Sequence, residues 1–547
     1  MNRKRPAAVD DVVATEVLVV GAGAAGLAVA LEATPRPVTL LTKGRLAWSG
    51  ASPWAQGGIA AAVGAGDAPG RHAADTLAAA GGLADEAVVD LLTREAPRTL
   101  GLLLGLGARF ERAPDGWLTL GREAGHRRRR IVHADGDATG REVVRVLVQA
   151  VRRTARVTVV EGAAALRLLV DGDGAVLGVL ARHADGRRVR YAAHAVVLAT
   201  GGIGHLFSHT TNPREATGDG LALAAMAGAR LADLEFVQFH PTALAVGADP
   251  MPLLTEAVRG EGAVVVDESG RRFLADRHPD GDLAPRDVVA QAIWRHLAAG
   301  HRTFLDLRGV SSLEQRFPTL VASCRRHSLD PCSAPVPVSP AAHYHMGGVA
   351  VDPRGRTSVP GLWACGEVAC NGAHGANRLG SNSLLEALVF GSKVGAELAG
   401  QIPDEPTPGR RPIDPGQVDP EPAGRPDPLT VAELRRLMWE RVGLVRDADG
   451  LAEACARLDR WCSDRDPAIR QLATVGRLVA TAAAARTESR GAHHRTDHPL
   501  TQRAWQRRLF VTAAVNAFPS VTAGPVLIPA RRRRLRRRPL PSQDSAA

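Results

Sequence analysis

Hydrophobic positions in this chain alternate between short continuous runs and helical spacing. Residues 16–20 (EVLVV) form an apolar run of the kind a buried parallel strand needs, and LAVALEA, a few residues on, has helical spacing and helix-forming composition. Between them lies GAGAAG at 21–26, so the unit predicts strand, turn, helix. In such a turn Gly21 makes the tight bend, Gly23 lets a pyrophosphate approach the backbone, and Gly26 lets helix and strand pack closely. The helix N-terminus then faces the phosphates. A lone GxGxxG also occurs for packing reasons alone, and its place between a strand and a helix is what favours dinucleotide binding.

A second strand, 38–42, ends in Lys43, where this motif usually has an acidic residue on an adenosine ribose. That departure argues against a freely exchanging nicotinamide cofactor. YAAHAVVLATGG (191–202) predicts another strand entering a glycine turn, and GLWACGE (361–367) a third. Strand-to-glycine junctions this far apart suit a large cofactor lying across several carboxyl ends of one parallel sheet. Residues 234–344 have their own strand and helix patterns and read as an insertion. Residues 402–428 are Pro-rich and polar, a linker by composition, and 430–490 carry the periodicity of a helix bundle.

Composition narrows the class. At 547 residues the chain suggests two to four domains. Hydrophobic residues at 45% and charged residues at 23% are ordinary for a globular protein, and no apolar run approaches the roughly 20 residues a membrane span needs. The start, MNRKRPAAVDDVVA, lacks a signal-peptide apolar region, so a cytoplasmic location is expected. The six cysteines show no CxxC pair and read as core residues, not as a metal or disulfide framework. The net charge of +11 invites a nucleic-acid reading, but much of it sits in Arg127–Arg130 and in RRRRLRRR at 531–538, beside only 4% aromatics for stacking bases. A solvated tail is expected, with binding of an acidic partner or nucleic acid as a remote alternative.

Four clusters can carry chemistry. FVQFHPT (236–242) puts Gln238, His240 and Thr242 two apart, on one face if extended. TEAVRGEG (255–262) contains Thr255 and sets Glu256 three residues before Arg259, on one side of a helical turn. LAPRD (283–287) holds Arg286. AHYHMGG (342–348) and HGANRLGSNSL (374–384) bring His343, His345, His374, Arg378, Ser381, Asn382 and Ser383. Singly, each has an ordinary reading: a hydrogen-bonded structural histidine, a surface ion pair worth little, a solvated arginine. No third ligand supports a metal at His343 and His345, so no metal is expected. Imidazoles and guanidiniums beside glycine turns together suggest a site for a small dianion.

GAGAAGL, WAQGGIAA, FVQFHPT, TEAVRGEG, LAPRD, HYHMGGV and HGANRLGSNSLLEA occur in an order that resembles flavoproteins of the fumarate reductase/succinate dehydrogenase family, most of all its aspartate-oxidising branch. The resemblance covers residues 15–400, and TESRGAHHRTDHP (487–499) extends it. It implies an α/β protein: a Rossmann-like FAD-binding domain (1–233 and 345–401) interrupted by an α+β capping domain (234–344). The Pro-rich linker (402–428), a C-terminal helical domain (429–530) and an Arg-rich tail (531–547) complete the expected organisation. It also implies FAD, held by Gly21, Ala22, Gly23, Ala24, Ala25 and Gly26, by Lys43, by Ser52, Gln56, Gly57 and Gly58 along the ring system, and by Asp219, Glu367, Ser383 and Leu384. Ala51 stands where covalent flavoproteins of the family carry a histidine, which implies non-covalent FAD.

For substrate, the resemblance implies that His240, Thr242, His343 and Arg378 hold the carboxylates of a dicarboxylic acid, with Gln238 and Thr255 alongside. Arg286 would transfer a proton and Glu256 and Arg259 would pass it to solvent. In GREAGHRRR (121–129) Glu123 matches the branch that oxidises an amine, where it would pair with an α-ammonium that succinate lacks. The expected reaction is oxidation of L-aspartate to iminoaspartate, with oxygen or fumarate reoxidising the flavin. The metabolic partner would be quinolinate synthase in de novo NAD biosynthesis. The alternative within the family is a soluble fumarate reductase or succinate-oxidising flavoprotein.

Overall fold

A computed structural model of the chain describes residues 9–401, 426–512 and 526–528. The Pro-rich stretch, apart from residues 426–428, and the Arg-rich tail lie outside the described residues.

The strand Val9–Val20 sits inside a seven-stranded sheet, parallel to Val38–Thr42 on one side and to Arg188–Leu198 on the other. Val157–Glu161 extends the parallel array beyond Val38–Thr42, and Leu362–Ala364 pairs in parallel with the last residues of Arg188–Leu198. An antiparallel meander, Ala163–Val170 and Val176–His183, completes the sheet. The first strand begins earlier than the apolar run suggests because only Val17–Val20 is buried, while Val12 and Val13 are exposed. The outer half is held by pairing with Arg188–Ala193, which leaves no continuous hydrophobic signal.

Helices Ala24–Glu32, Glu86–Gly105, Thr139–Arg153 and Asn382–Gln401 cover one face of this sheet and build one core with it. The other face meets Asp219–Met226 and, through it, the C-terminal helices Pro428–Val442, Ala448–Trp461 and Pro467–Ala485. Each C-terminal helix starts on an aspartate, Asp427, Asp447 or Asp466, whose carboxylate accepts from first-turn N–H groups, and two have Pro next. After Ala485 the chain leaves the helical pattern and returns as Arg508–Val511, pairing with Leu231–Ala232 in a separate five-stranded sheet.

The inserted segment forms a four-stranded antiparallel sheet in the order Val237–Leu244, Val336–His345, Thr303–Asp306, Val264–Asp267, with a core of its own. Cys324, Cys365 and Cys370 are buried as expected of core residues, whereas Cys332 is exposed.

Candidate active site

A cavity of about 1550 Å³ starts at the carboxyl ends of the parallel strands and continues to the inserted sheet. Its wall runs from Gly21–Ala25 and Lys43 along residues 47–58 to His240, Glu256, Arg286, His343 and Arg378. The volume exceeds the roughly 300–1,000 Å³ of an ordinary ligand pocket, as a dinucleotide beside a small substrate would require.

The glycine turn has the geometry its sequence demands. Gly21 has φ 112°, and a Cβ there would lie 2.2 Å from the Ala199 carbonyl oxygen. A Cβ on Gly26 would lie 1.9 Å from the Gly21 oxygen, so helix and strand touch through their backbones. At Gly23 the nearest atom to a Cβ would be Ser52 Oγ at 3.1 Å, leaving the cavity side open for a phosphate. Ser52 Oγ meanwhile accepts from the Ala24 N–H at 3.0 Å.

Further along, Lys43 Nζ contacts Asp219 Oδ2 at 2.5 Å and Thr217 Oγ1 at 3.0 Å. Glu367 is half-buried at the third strand-to-glycine junction and accepts from the His345 N–H at 2.9 Å. Burial pushes its carboxyl up to about 7. Gln56 Oε1, Thr200 Oγ1 and Glu123 Oε2 line the cavity, buried and without a hydrogen-bond partner among the described residues. Unpaired buried polar atoms are costly, and these fit an elongated polar cofactor such as FAD.

At the far end two guanidiniums converge. Gln238 Oε1 accepts from Arg286 Nη1 at 3.0 Å and from Arg378 Nη2 at 2.9 Å, while its Nε2 donates to Asn377 Oδ1 and the Arg378 carbonyl. Arg378 also donates to Ser383 Oγ at 3.0 Å and lies 4.5 Å from the Tyr344 ring centroid. Burial, with the Arg286 charge beside it, lowers Arg378 to about 10, and its Nε has no partner among the described residues. His240 and His343 stand with ring centroids 5.1 Å apart, both held far below the usual imidazole range by burial and nearby arginines. The Thr242 N–H donates to His240 Nδ1 at 3.3 Å, which leaves the proton of this neutral ring on Nε2.

Behind Arg286, Glu256 Oε2 accepts from Arg286 Nε at 2.7 Å and Oε1 from Arg259 Nη2. Arg259 reaches on to the Asp282 carbonyl. Burial opposes ionisation of Glu256, but Arg286 and Arg259 outweigh it and hold the carboxyl below its usual range. A buried pair of this kind gains little stability over an apolar packing.

Glu123 is buried within the same site. Its Oε1 accepts from Ser381 Oγ at 2.8 Å. A Cβ on Gly380 would lie 2.4 Å from Glu123 Oε2 and 3.3 Å from both Arg286 Nη2 and Glu256 Oε2, so the three side chains surround one small space. Burial, with Glu256 adding to it and Arg286 opposing it, raises the Glu123 carboxyl above its usual range. Three residues on, His126 Nε2 donates to the Gly380 carbonyl at 3.0 Å and its Nδ1 accepts from Arg130 at 3.1 Å. Arg130 is fully buried between Asp67 and Asp75.

Most of the expected residues line this one cavity. Gly26, Gln238, Thr242 and Arg259 do not. Gly26 serves packing, Gln238 ties the two guanidiniums together, and Arg259 stands behind Glu256. Thr242 donates to the Leu254 carbonyl at 3.0 Å, because irregularities on both sides of His240 break the single-face alternation expected of the strand. His345 likewise turns to the Leu234 carbonyl. Three features went unassigned a role in the sequence: the Ser381 backbone at φ 59°, the Thr211 contact to His343 at 2.8 Å, and the His126–Arg130 tie. The run TTN after the second glycine turn is the only linear trace of the Thr211 contact.

The family described as FAD binding domain matches residues 16–384, and the fumarate reductase flavoprotein C-terminal family matches 467–532. An L-aspartate oxidase of Mesorhizobium japonicum is 50% identical over 484 residues, covering 88% of this chain and 91% of that protein. An L-aspartate oxidase of Streptomyces coelicolor is 46% identical, covering 91% of each. Among solved structures, an E. coli quinol fumarate reductase chain aligns with a TM-score of 0.84 at 30% identity, covering 92% of this chain and 95% of that one.

Proposed function

The chain belongs to the L-aspartate oxidase family of FAD-binding flavoproteins, and on that premise we propose how its residues share the oxidation of L-aspartate to iminoaspartate. FAD, when bound, supplies the acceptor for the hydride that leaves the substrate α-carbon. The turn Gly21–Gly26, Lys43, Asp219, Glu367, Ser383, Leu384 and the loop through Ser52, Gln56, Gly57 and Gly58 would hold it. Ala51 has no nucleophile to offer, so the hold is non-covalent.

Arg378 and Arg286 take the two carboxylates, because a planar guanidinium forms paired hydrogen bonds that an ammonium cannot. His240, neutral and with its Nε2 proton free to donate, adds a donor at no charge cost, and His343 and Thr255 complete that end. Glu123 takes the α-ammonium. This carboxylate beside a guanidinium pair is the observation that carries the reading, since succinate and fumarate have nothing to neutralise it.

Oxidation removes a hydride from Cα and protons from the ammonium nitrogen, leaving the C=N bond. The hydrogen-bonded run Arg286–Glu256–Arg259 gives such a proton a route away from the substrate. A guanidinium holds its protons too tightly to be a resting base, so Arg286 passes a proton only as its partner Glu256 takes one up.

Oxygen or fumarate then accepts the electrons. The imine hydrolyses in water, so a consuming enzyme must act promptly; quinolinate synthase, in cytoplasmic de novo NAD biosynthesis, fits that place. No described helix is long and apolar enough to cross a membrane. Arg286→Lys tests the division of labour: the purified variant should keep its flavin absorbance and lose about 100-fold or more of aspartate turnover. Turnover near wild type would remove Arg286 from its role.

A further inference from the structure

The outer edge of the inserted sheet carries a second group of ionisable side chains, none of which lines the cofactor cavity. Asp267 ends the strand Val264–Asp267 and Glu268 follows it; His296 lies in the last turn of the helix Arg286–Ala298; His301 comes just before the strand Thr303–Asp306. One donor atom from each of Glu268, His296 and His301 lies within 4.8 Å of the others.

Both carboxylates are held with one oxygen aimed at an imidazole. Asp267 Oδ1 accepts from the Ser269 and Arg271 N–H groups at 2.9 and 3.0 Å and from Ser269 Oγ at 2.6 Å. Its Oδ2 faces His296 Nε2 at 3.9 Å. Glu268 Oε2 accepts from the Arg302 N–H at 2.8 Å while Oε1 meets His301 Nδ1 at 2.8 Å. The two imidazoles stack at 4.4 Å, and His296 is fixed from its other side by Phe273 at 4.2 Å. His296 Nε2 is buried and has no hydrogen-bond partner among the described residues, which is a cost unless something else occupies it.

The surroundings favour a cation. The helix ends here, so its unpaired carbonyls present the negative end of the dipole. Of the nearby positive groups, Arg271 is engaged by Asp276 at 2.6 Å and Arg302 lies over the Phe304 ring.

We propose that Glu268, His296 and His301, with Asp267 Oδ2 as a fourth donor, bind a divalent cation of the zinc class. Two imidazoles and carboxylate oxygens are a borderline donor set that suits Zn²⁺ and, by the same chemistry, Co²⁺ or Ni²⁺. Donor atoms around tetrahedral zinc stand roughly 3.3 Å apart. The exposed side chains of Glu268 and His301 can close that distance by rotation, the metal displacing the proton between them. The bound ion would tie two strands of the inserted sheet, Val264–Asp267 and Thr303–Asp306, to the helix whose first residue is Arg286, clamping the cap without touching substrate.

The test uses the full-length, FAD-loaded protein after chelation and desalting, titrated with Zn²⁺ by calorimetry and with Co²⁺ by visible absorption. The expected result is saturable uptake of one ion per chain at micromolar concentration, a rise in Tm with Zn²⁺, and unchanged aspartate turnover. His301→Ala and Glu268→Gln, both at exposed positions, should each weaken binding at least tenfold and remove the Tm rise. Cys332→Ser, at the exposed thiol, should leave binding intact. No saturable uptake at about 100 µM Zn²⁺, uptake that survives both His301→Ala and Glu268→Gln, or uptake lost with Cys332 would each overturn the site. The four side chains would then be one carboxylate–histidine hydrogen bond beside a second carboxylate–histidine pair 3.9 Å apart, and nothing more.

Discussion

Replacing Glu123 with Gln removes one negative charge from a buried site while keeping the oxygen that accepts from Ser381. In the proposed complex the lost partner is the α-ammonium of aspartate. Two unit charges about 4 Å apart at an effective dielectric of about 20 interact by about 4 kcal/mol. Desolvation offsets part of this, and truncation of one member of a buried charge pair typically costs about 2–5 kcal/mol. A loss of about 3 kcal/mol corresponds to roughly a 100-fold fall in kcat/KM for L-aspartate. Succinate has no ammonium, so its oxidation, and the reduction of fumarate, should change by less than about threefold.

The same variant changes the pH profile. Glu123 must ionise before it can pair, and its carboxyl lies above the usual range because of burial, with Glu256 adding and Arg286 opposing. In the wild type, kcat/KM for aspartate should therefore rise with pH through this ionisation, and in Glu123→Gln that step should be missing. Steady-state kinetics with an artificial dye as electron acceptor, run on both substrates across pH, reads both effects. Equal losses for aspartate and succinate, or an unchanged aspartate kcat/KM, would refute the assignment.

His126 holds the Gly380 carbonyl and is itself fixed by Arg130, so His126→Ala should loosen Glu123 relative to Arg378. Aspartate kcat/KM should fall about tenfold with a smaller effect on succinate, and a uniform loss on both would mark a merely structural residue. Glu386, buried with its Oε1 accepting from Asn371 Nδ2 at 2.8 Å, is raised by burial from the ordinary 4.5 to about 8. Between those values the folded state keeps a proton the unfolded state has lost, so stability falls as pH rises from about 4.5 to about 8 and the penalty is fully present above. Glu386→Gln should accordingly raise Tm more at pH 9 than at pH 6; an equal gain at both would show that Glu386 ionises normally.

What could be read from the sequence was whatever local geometry or strong patterning forces. Gly21 and Gly26 have no room for a side chain, and that need is written into GAGAAG. The parallel strands appear as apolar runs because both faces of the sheet are covered. The Glu256–Arg259 pair looks like a surface ion pair at its spacing, and only tertiary placement buries it against Arg286. Arg127–Arg130 reads as one run of charge, yet Arg130 alone turns inward to Asp67 and Asp75, residues 55 and more positions away. Gln238 lies in the expected motif, but its position between Arg286 and Arg378 depends on chain crossings no linear pattern contains. The strand irregularities around His240 are equally invisible, and they decide that His240 and not Thr242 reaches the cavity.

The central claim is that the FAD held in this cavity is reduced by L-aspartate. Mixing the purified, FAD-loaded protein anaerobically with L-aspartate in a stopped-flow instrument tests it directly. The flavin absorbance should bleach with L-aspartate, far faster than with succinate at equal concentration, and the colour should return on adding fumarate or oxygen. Flavin that stays oxidised with L-aspartate but is bleached by succinate would contradict it.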